Sequence, residues 1–198
     1  MSDQERRGLT DSVEFREGAN GGGTISGYAA LFNQETVIGG VYGFREQIAP
    51  GAFDDAVGRD DVRALFNHDP NFLLGRTKSG TLRLKVDKKG LRYDVDLPDT
   101  AQARDIRELI LRGDVSGSSF GFVVHGEEWD ETPLKVGKLP LRTLTKLELF
   151  DVSPVTYPAY PQTSVSARSK AQALAEMDAL GLRMRVASRV AVERAKCR

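Results

Sequence analysis

The sequence has 198 residues with 28 basic and 28 acidic side chains, and 40% of its residues are hydrophobic. A chain of this size and composition forms one domain, or one domain with an extension, and is unlike the hydrophobic-poor sequences that stay disordered. It has no apolar run of the ~18 residues that a membrane span needs and no apolar signal segment in its first dozen residues, so we expect a soluble, unsecreted protein. Its single cysteine, Cys197, cannot form an internal disulfide, and we therefore expect a cytosolic protein.

The net charge of zero is the sum of two opposed segments. Residues 1–167 carry −5, and Arg168–Arg198 carry +5. The composition changes at the same place, because Gly, Pro and aromatic residues fill the first segment and Ala, Arg, Leu and Met fill the second. The predicted parts are a flexible N-terminus at 1–11, a body at 12–165 and a basic helical tail at 166–198.

Short strands separated by turn residues fill the body of the chain. Strand patterns lie at Ser12–Arg16 and Thr24–Asn33. A further pair, Thr81–Val86 and Leu91–Leu97, is joined by a loop that ends in Gly90, and this arrangement predicts a β-hairpin.

One strong helix pattern interrupts the strands. Thr100 or Asp99 can cap its N-terminus, Ile106 and Ile110 recur at helical spacing, and Gly113 ends it. The sequence therefore predicts a helix over roughly 100–112.

Strands return after this helix. Phe120, Phe122 and Val124 alternate, and a long strand pattern covers Leu141–Val155. Many short strands with a few helices outside them predict a strand-rich α+β fold, a closed or nearly closed β-barrel, with a helical extension at the C-terminus.

The chain has only two histidines, His68 and His125, as candidates for a general base near neutral pH. His68 follows the apolar strand pattern that ends at Phe66. A polar side chain at the end of a rigid strand is a common position for a catalytic group. The alternative is a structural histidine on the surface or in the core.

A serine candidate lies in Gly117-Ser118-Ser119-Phe120-Gly121, which fits the pattern G-x-S-x-G around Ser119. An α/β-hydrolase needs a strand, a turn and a helix around its nucleophile, followed in sequence by an acid and then a histidine. This chain has a strand pattern after Ser119 and no acidic residue before His125, so that class is disfavoured. The structural alternative is a Gly/Ser-rich turn between the helix and a strand.

An acidic candidate lies in the last strand pattern. Strand alternation puts Leu147, Leu149 and Asp151 on one face. A carboxylate on an apolar face is costly unless a donor such as an imidazole N–H reaches it. The alternative is that Asp151 caps the following turn through Ser153.

These residues belong to a series of motifs that resembles the prohead (capsid maturation) proteases of tailed bacteriophages, relatives of the herpesvirus assemblins. The resemblance covers roughly residues 24–165. Its motifs, in chain order, are Tyr28-Ala29-Ala30-Leu31-Phe32-Asn33, Ile48-Ala49-Pro50-Gly51-Ala52-Phe53, Phe66-Asn67-His68-Asp69, Leu74-Gly75-Arg76, Ser116-Gly117-Ser118-Ser119-Phe120-Gly121-Phe122 and Asp151-Val152-Ser153-Pro154-Val155-Thr156-Tyr157-Pro158-Ala159.

The resemblance implies a serine protease on a β-barrel surrounded by helices, with His68 as general base, Ser119 as nucleophile and Asp151 as third member. Ser118 is the alternative nucleophile, and another acid in place of Asp151 is left open. Gly117 and Gly121 let backbone N–H groups approach a substrate, so this segment is the candidate oxyanion hole.

The resemblance also implies partners and a location. The expected substrates are the scaffold, the scaffolding segment of the major capsid protein and the protease itself, cleaved inside the assembling prohead in the host cytoplasm. No cofactor, metal, nucleic acid or membrane is expected, and self-association is left open. We predict that the basic tail recruits the enzyme to the capsid interior.

Three other classes compete with this prediction. A non-catalytic capsid-assembly or scaffold-binding protein on the same barrel is the first, supported by the amphipathic tail. A lipase or esterase is disfavoured by the residue order. A metal hydrolase is disfavoured because two histidines without a cysteine cluster do not make a ligand set.

Overall fold

The structure, a computed structural model, describes residues 4–10, 12–17, 23–39, 43–132 and 139–158. The helical tail predicted at 166–198 lies outside these ranges. The strands in chain order are Glu5–Leu9 (β1), Val13–Glu17 (β2), Gly23–Leu31 (β3), Thr36–Ile38 (β4), Phe44–Ile48 (β5), Arg63–Phe66 (β6), Asp69–Arg76 (β7), Leu82–Val86 (β8), Gly90–Asp96 (β9), Gly117–Asp130 (β10) and Leu141–Val155 (β11), and Ala101–Leu111 forms the helix α1 between β9 and β10.

The described strands form two sheets. The larger has the order β1-β10-β11-β5-β4, with β6 also paired to β11 and β7 paired to β6, and the smaller has the order β2-β3-β9-β8. β10 and β11, the two longest strands, pair antiparallel along their whole length. β5 and β6 both run parallel to β11 but at different places along it, so the hairpin β6–β7 lies at the C-terminal end of β11.

A strand-rich fold is confirmed, but the prediction of a closed barrel is wrong for the described residues. No strand of one sheet pairs there with a strand of the other. Side chains join the sheets instead, since Ile25 and Tyr93 of the smaller sheet share one buried cluster with Phe120 and Leu147 of the larger. Burial of apolar surface stabilises this packing without a continuous ladder of hydrogen bonds.

The local predictions agree with the structure over most of the body. The strands β8 and β9 form the predicted hairpin. Thr100 caps α1, where its side chain accepts a hydrogen bond from Ala103 N at 3.2 Å, and Gly113 follows the helix with a φ of +82°. Among the described residues α1 is the one helix, where the resemblance implies several. No helix there is long and apolar enough to cross a membrane.

The N-terminal segment differs from the predicted flexible terminus. Residues 5–9 form β1, which pairs antiparallel with β10 from Glu5↔Phe122 to Leu9↔Ser118. The polar composition of this segment predicts fraying, yet β1 gains a backbone ladder and ion pairs to residues that are distant in sequence, among them Arg7 to Glu46. β1 is thereby an ordered edge strand of the larger sheet.

Candidate active site

His68 lies with Asn67 in the two-residue turn between β6 and β7. Both residues have positive φ, 53° for Asn67 and 59° for His68. Tight two-residue hairpin turns require this left-handed conformation, which Asn and His adopt more readily than most residues. The imidazole of His68 is almost wholly buried, with 7% of the side chain exposed.

Asn67 fastens this turn to the end of β11. Its backbone N–H donates to the Pro154 carbonyl at 3.1 Å, and its side-chain carbonyl accepts from the backbone N–H of Thr156 at 2.9 Å. Its side-chain amide also donates to the Thr156 hydroxyl at 3.1 Å. These three bonds fix the position of His68 relative to the strand that carries Asp151.

The two adjacent serines of β10 point in opposite directions. Both are fully buried, and successive side chains of a strand lie on opposite faces. The Ser118 hydroxyl bonds to the buried Tyr93 hydroxyl of the smaller sheet at 2.6 Å, whereas the Ser119 Oγ lies 2.7 Å from the His68 Nε2. The turn predicted as the alternative for this segment is instead the first part of β10, because it pairs with β1 and with β11.

Asp151 faces the same imidazole from β11. Its buried side chain follows those of Leu147 and Leu149 on one face, as the alternation predicts. The Asp151 Oδ2 lies 2.5 Å from the His68 Nδ1 and accepts a hydrogen bond from the Ser153 hydroxyl at 2.9 Å. Ser153 makes this bond from within β11, so the alternative in which Asp151 caps a following turn is wrong.

The three predicted site residues thus meet, with His68 between the carboxylate and the hydroxyl. An imidazole in this position can take the hydroxyl proton on one nitrogen while the carboxylate orients the N–H on the other. His125 is separate, since its Nε2 contacts Glu148 at 2.7 Å. In the part of the chain that the structure describes, no three His, Cys, Asp or Glu side chains group as metal ligands.

The family model described as caudovirus prohead serine protease matches residues 11–180 of this sequence. The chain belongs to this family. Among solved structures, this prohead protease is similar to gp21, the capsid assembly protease of bacteriophage T4, with a TM-score of 0.53 over 78% of this chain and 98% of that chain. Their sequence identity is 10%, so the likeness shows a shared fold. The search of curated proteins finds no match.

A buried ionic cluster adjoins the site of the prohead protease. Arg7 of β1 and Arg142 of β11 are both bonded to the carboxylate of Glu46, at 2.6 Å and 3.0 Å. Burial by itself would lower the pKa of each arginine, but the carboxylates of Glu46 and Glu5 raise both pKa values. Burial likewise opposes the ionised form of Glu5, whose pKa the two arginines nevertheless lower. Arg7, Arg142 and Glu5 are therefore charged at neutral pH.

Sequence reasoning missed two contributors to the site. The first is Asn67, whose signal was available, since Asn followed by His between strand patterns fits a two-residue turn. The second is β1, whose Arg7 carbonyl accepts a hydrogen bond from the Ser119 hydroxyl at 2.7 Å. No local pattern indicates this contact, because the two residues are 112 positions apart.

Proposed function

We propose that this prohead protease is a serine endopeptidase with Ser119 as nucleophile, His68 as general base and Asp151 as the group that orients His68. The observation that carries the proposal is the unbroken series of contacts from Asp151 through His68 to the Ser119 Oγ, at 2.5 Å and 2.7 Å. Each contact is within the reach of proton transfer.

The reaction follows from these positions. The Ser119 Oγ attacks the carbonyl carbon of the scissile peptide while its proton passes to the His68 Nε2. His68 then gives that proton to the leaving amine, and an acyl-enzyme remains. Water, deprotonated by His68, hydrolyses the acyl-enzyme and regenerates the Ser119 hydroxyl. Asp151 keeps the Nδ1–H of His68 directed towards itself and stabilises the imidazolium in each step.

Among the possible substrates we propose proteins of the assembling capsid: the scaffold, the scaffolding segment of the major capsid protein and the protease chain. Membership of the prohead protease family supports this choice, and so does the fold shared with the T4 capsid assembly protease. Cleavage of a scaffolding segment inside a closed shell would remove contacts that the immature shell needs and make maturation irreversible.

The test compares the wild-type chain with Ser119→Ala and Ser118→Ala, each incubated alone and with the capsid protein. We expect fragments on a denaturing gel for the wild type and for Ser118→Ala, and none for Ser119→Ala. Mass spectrometry of the fragments reports the cleaved bond. Equal fragmentation by Ser119→Ala and the wild type would overturn the assignment, and no fragmentation by any chain would favour the non-catalytic capsid-assembly class.

A further inference from the structure

β1 covers the nucleophile as a peptide strand would. It is an edge strand of the larger sheet, and its pairing with β10 places Gly8 opposite Ser119. Proteins that bind extended peptides commonly add them as a strand to a sheet edge, where the backbone ladder supplies affinity and side-chain pockets supply specificity. Without β1, the first half of β10 would be such an edge.

The contact between β1 and Ser119 is made by a carbonyl group. The Ser119 hydroxyl donates to the Arg7 carbonyl oxygen at 2.7 Å while its oxygen lies 2.7 Å from the His68 Nε2. A hydroxyl has one proton, so while Ser119 donates it to the Arg7 carbonyl it does not donate it to the His68 Nε2. β1 thus directs the Ser119 proton away from the imidazole that would remove it.

The side chain of Arg7 is bonded to a buried carboxylate, that of Glu46. Both oxygens of Glu46 accept hydrogen bonds from the Arg7 guanidinium, at 2.6 Å and 3.0 Å, and the guanidinium lies 5.5 Å from the centre of the Phe122 ring. Glu46 is only 4% exposed. A buried carboxylate that bonds a guanidinium with both oxygens discriminates against a neutral side chain, because that side chain would forfeit both charge-assisted hydrogen bonds.

Arg7 makes both contacts: its carbonyl reaches the Ser119 hydroxyl, and its side chain reaches Glu46. We propose that a substrate binds as an extended strand along the edge of β10 from Ser118 to Phe122. Glu46 selects Arg, and less strongly Lys, at the substrate residue that supplies the scissile carbonyl. β1 occupies this edge until a substrate replaces it. The inference deepens the proposed function, because it names the substrate class of the same site.

Arginine is preferred over lysine for a geometric reason. The planar guanidinium presents two parallel N–H groups to the two oxygens of Glu46, whereas an ammonium is a single point of charge. Arg142 also bonds to Glu46, at 3.0 Å, so the carboxylate stays partly compensated during exchange of β1 for a substrate. Arg7 can therefore leave Glu46 without making Glu46 an isolated buried charge.

The first test uses a peptide with the sequence of residues 2–13 and a second peptide in which the position of Arg7 is Gln. The wild-type full-length chain is expected to cut the Arg peptide after that arginine at least about tenfold faster than it cuts the Gln peptide. A loss of about tenfold is expected when a hydrogen bond to a charged group, here Glu46, is removed. In Glu46→Gln the two rates should become similar. Equal rates for the two peptides with the wild type would overturn the proposal.

The second test measures occupancy by β1 without catalysis. Fluorescent Arg peptide is titrated against full-length Ser119→Ala, alone and combined with Arg7→Ala or Arg6→Ala. Arg7→Ala weakens the bound β1, so the peptide should bind at least about tenfold tighter. Arg6→Ala is the matched control, since the Arg6 side chain is exposed on the neighbouring position of the same strand and should leave the affinity unchanged.

The two tests separate this inference from the proposed function. If the wild type cuts neither the peptides nor the capsid protein, the catalytic assignment fails, and the binding series still decides the inference. If cleavage depends on Ser119 but Arg7→Ala and Arg6→Ala bind the peptide equally, the proposed function stands and occupancy by β1 is overturned.

Discussion

The Asp151 carboxylate occupies the space beside Gly121, the residue that pairs with Asp151 across β10 and β11. A Cβ at position 121 would stand 2.5 Å from the Asp151 Oδ1, closer than any ordinary contact. Gly121 therefore gives the carboxylate the room that it needs to reach His68. The glycine is explained by this approach rather than by a turn, because position 121 lies inside β10.

We expect Gly121→Ala to displace the Asp151 carboxylate and so to lower kcat by about 10- to 100-fold, the usual penalty for a misplaced catalytic group. The control is Gly126→Ala in the same strand, where the atoms nearest to a Cβ would belong to Thr145, at 2.9 Å, and to Lys146 rather than to Asp151. Both variants should lose some stability in urea unfolding, but only Gly121→Ala should lose kcat. A similar kcat in both would contradict this role.

Ser118, unlike its neighbour Ser119, should affect the stability of the protein and not its activity. Ser118→Ala removes the bond to the buried Tyr93 hydroxyl, so the free energy of unfolding should fall by about 1–3 kcal/mol while the peptide cleavage rate is retained. Tyr93→Phe should give a similar loss of stability, because it leaves the buried Ser118 hydroxyl without its partner. Chemical denaturation and a cleavage assay on the same samples check both. Loss of cleavage in Ser118→Ala at unchanged fold would contradict the assignment of Ser119.

Much of this site could be predicted from sequence because its signals are local or periodic. The alternation Leu147, Leu149, Asp151 predicts the inward carboxylate, and the strand end after Phe66 predicts that His68 is held by a rigid element, although its imidazole is buried. The place of β1 could not be predicted, since its polar residues have no alternation and its partner Glu46 is 39 positions away. The separation of the two sheets also depends on long-range packing, which no single strand pattern encodes.

Replacing Asp151 with Asn should reduce turnover more than binding. Asp151→Asn keeps the size of the side chain but no longer holds the Nδ1–H of His68 by a charge, so kcat should fall by about 10²- to 10⁴-fold with little change in KM. Ser153→Ala is the control, because it removes one hydrogen bond to the same carboxylate and leaves the charge. Steady-state kinetics on one peptide compares the two, and an equal loss in both would assign Asp151 a structural role only.

Asn67 is expected to act as a positioning residue. Asn67→Gly retains a residue that tolerates positive φ but loses the two side-chain bonds to Thr156, so kcat should fall by about 10- to 100-fold as His68 shifts. Asn67→Asp keeps an oxygen for the Thr156 N–H and should recover most of the activity. This recovery would show that the hydrogen bonds to Thr156 matter, rather than the turn geometry alone. A kcat for Asn67→Asp no higher than that for Asn67→Gly would contradict the role of these bonds.

Acid should loosen the hairpin that carries His68, through an ion pair at its base. Asp61 accepts a hydrogen bond from the Arg76 Nε at 2.7 Å, and Arg63 lies on the opposite strand of the hairpin. The hydrogen bond from Arg76 is the main cause that lowers the pKa of Asp61 to about 2, with Arg63 and Lys78 contributing against partial burial.

The direction of the pH effect follows from this lowered pKa. The folded chain holds the Asp61 proton less tightly than the unfolded chain, so the stabilisation is complete above about pH 4 and is lost as the pH falls towards about 2. In urea unfolding, wild type should therefore be more stable than Asp61→Asn near neutral pH, and the difference should shrink across that window. Asp105→Asn is the control, because Asp105 is exposed on α1 and forms no ion pair among the described residues. A difference between wild type and Asp61→Asn that stays constant down to about pH 2 would show that the ion pair with Arg76 does not stabilise the hairpin.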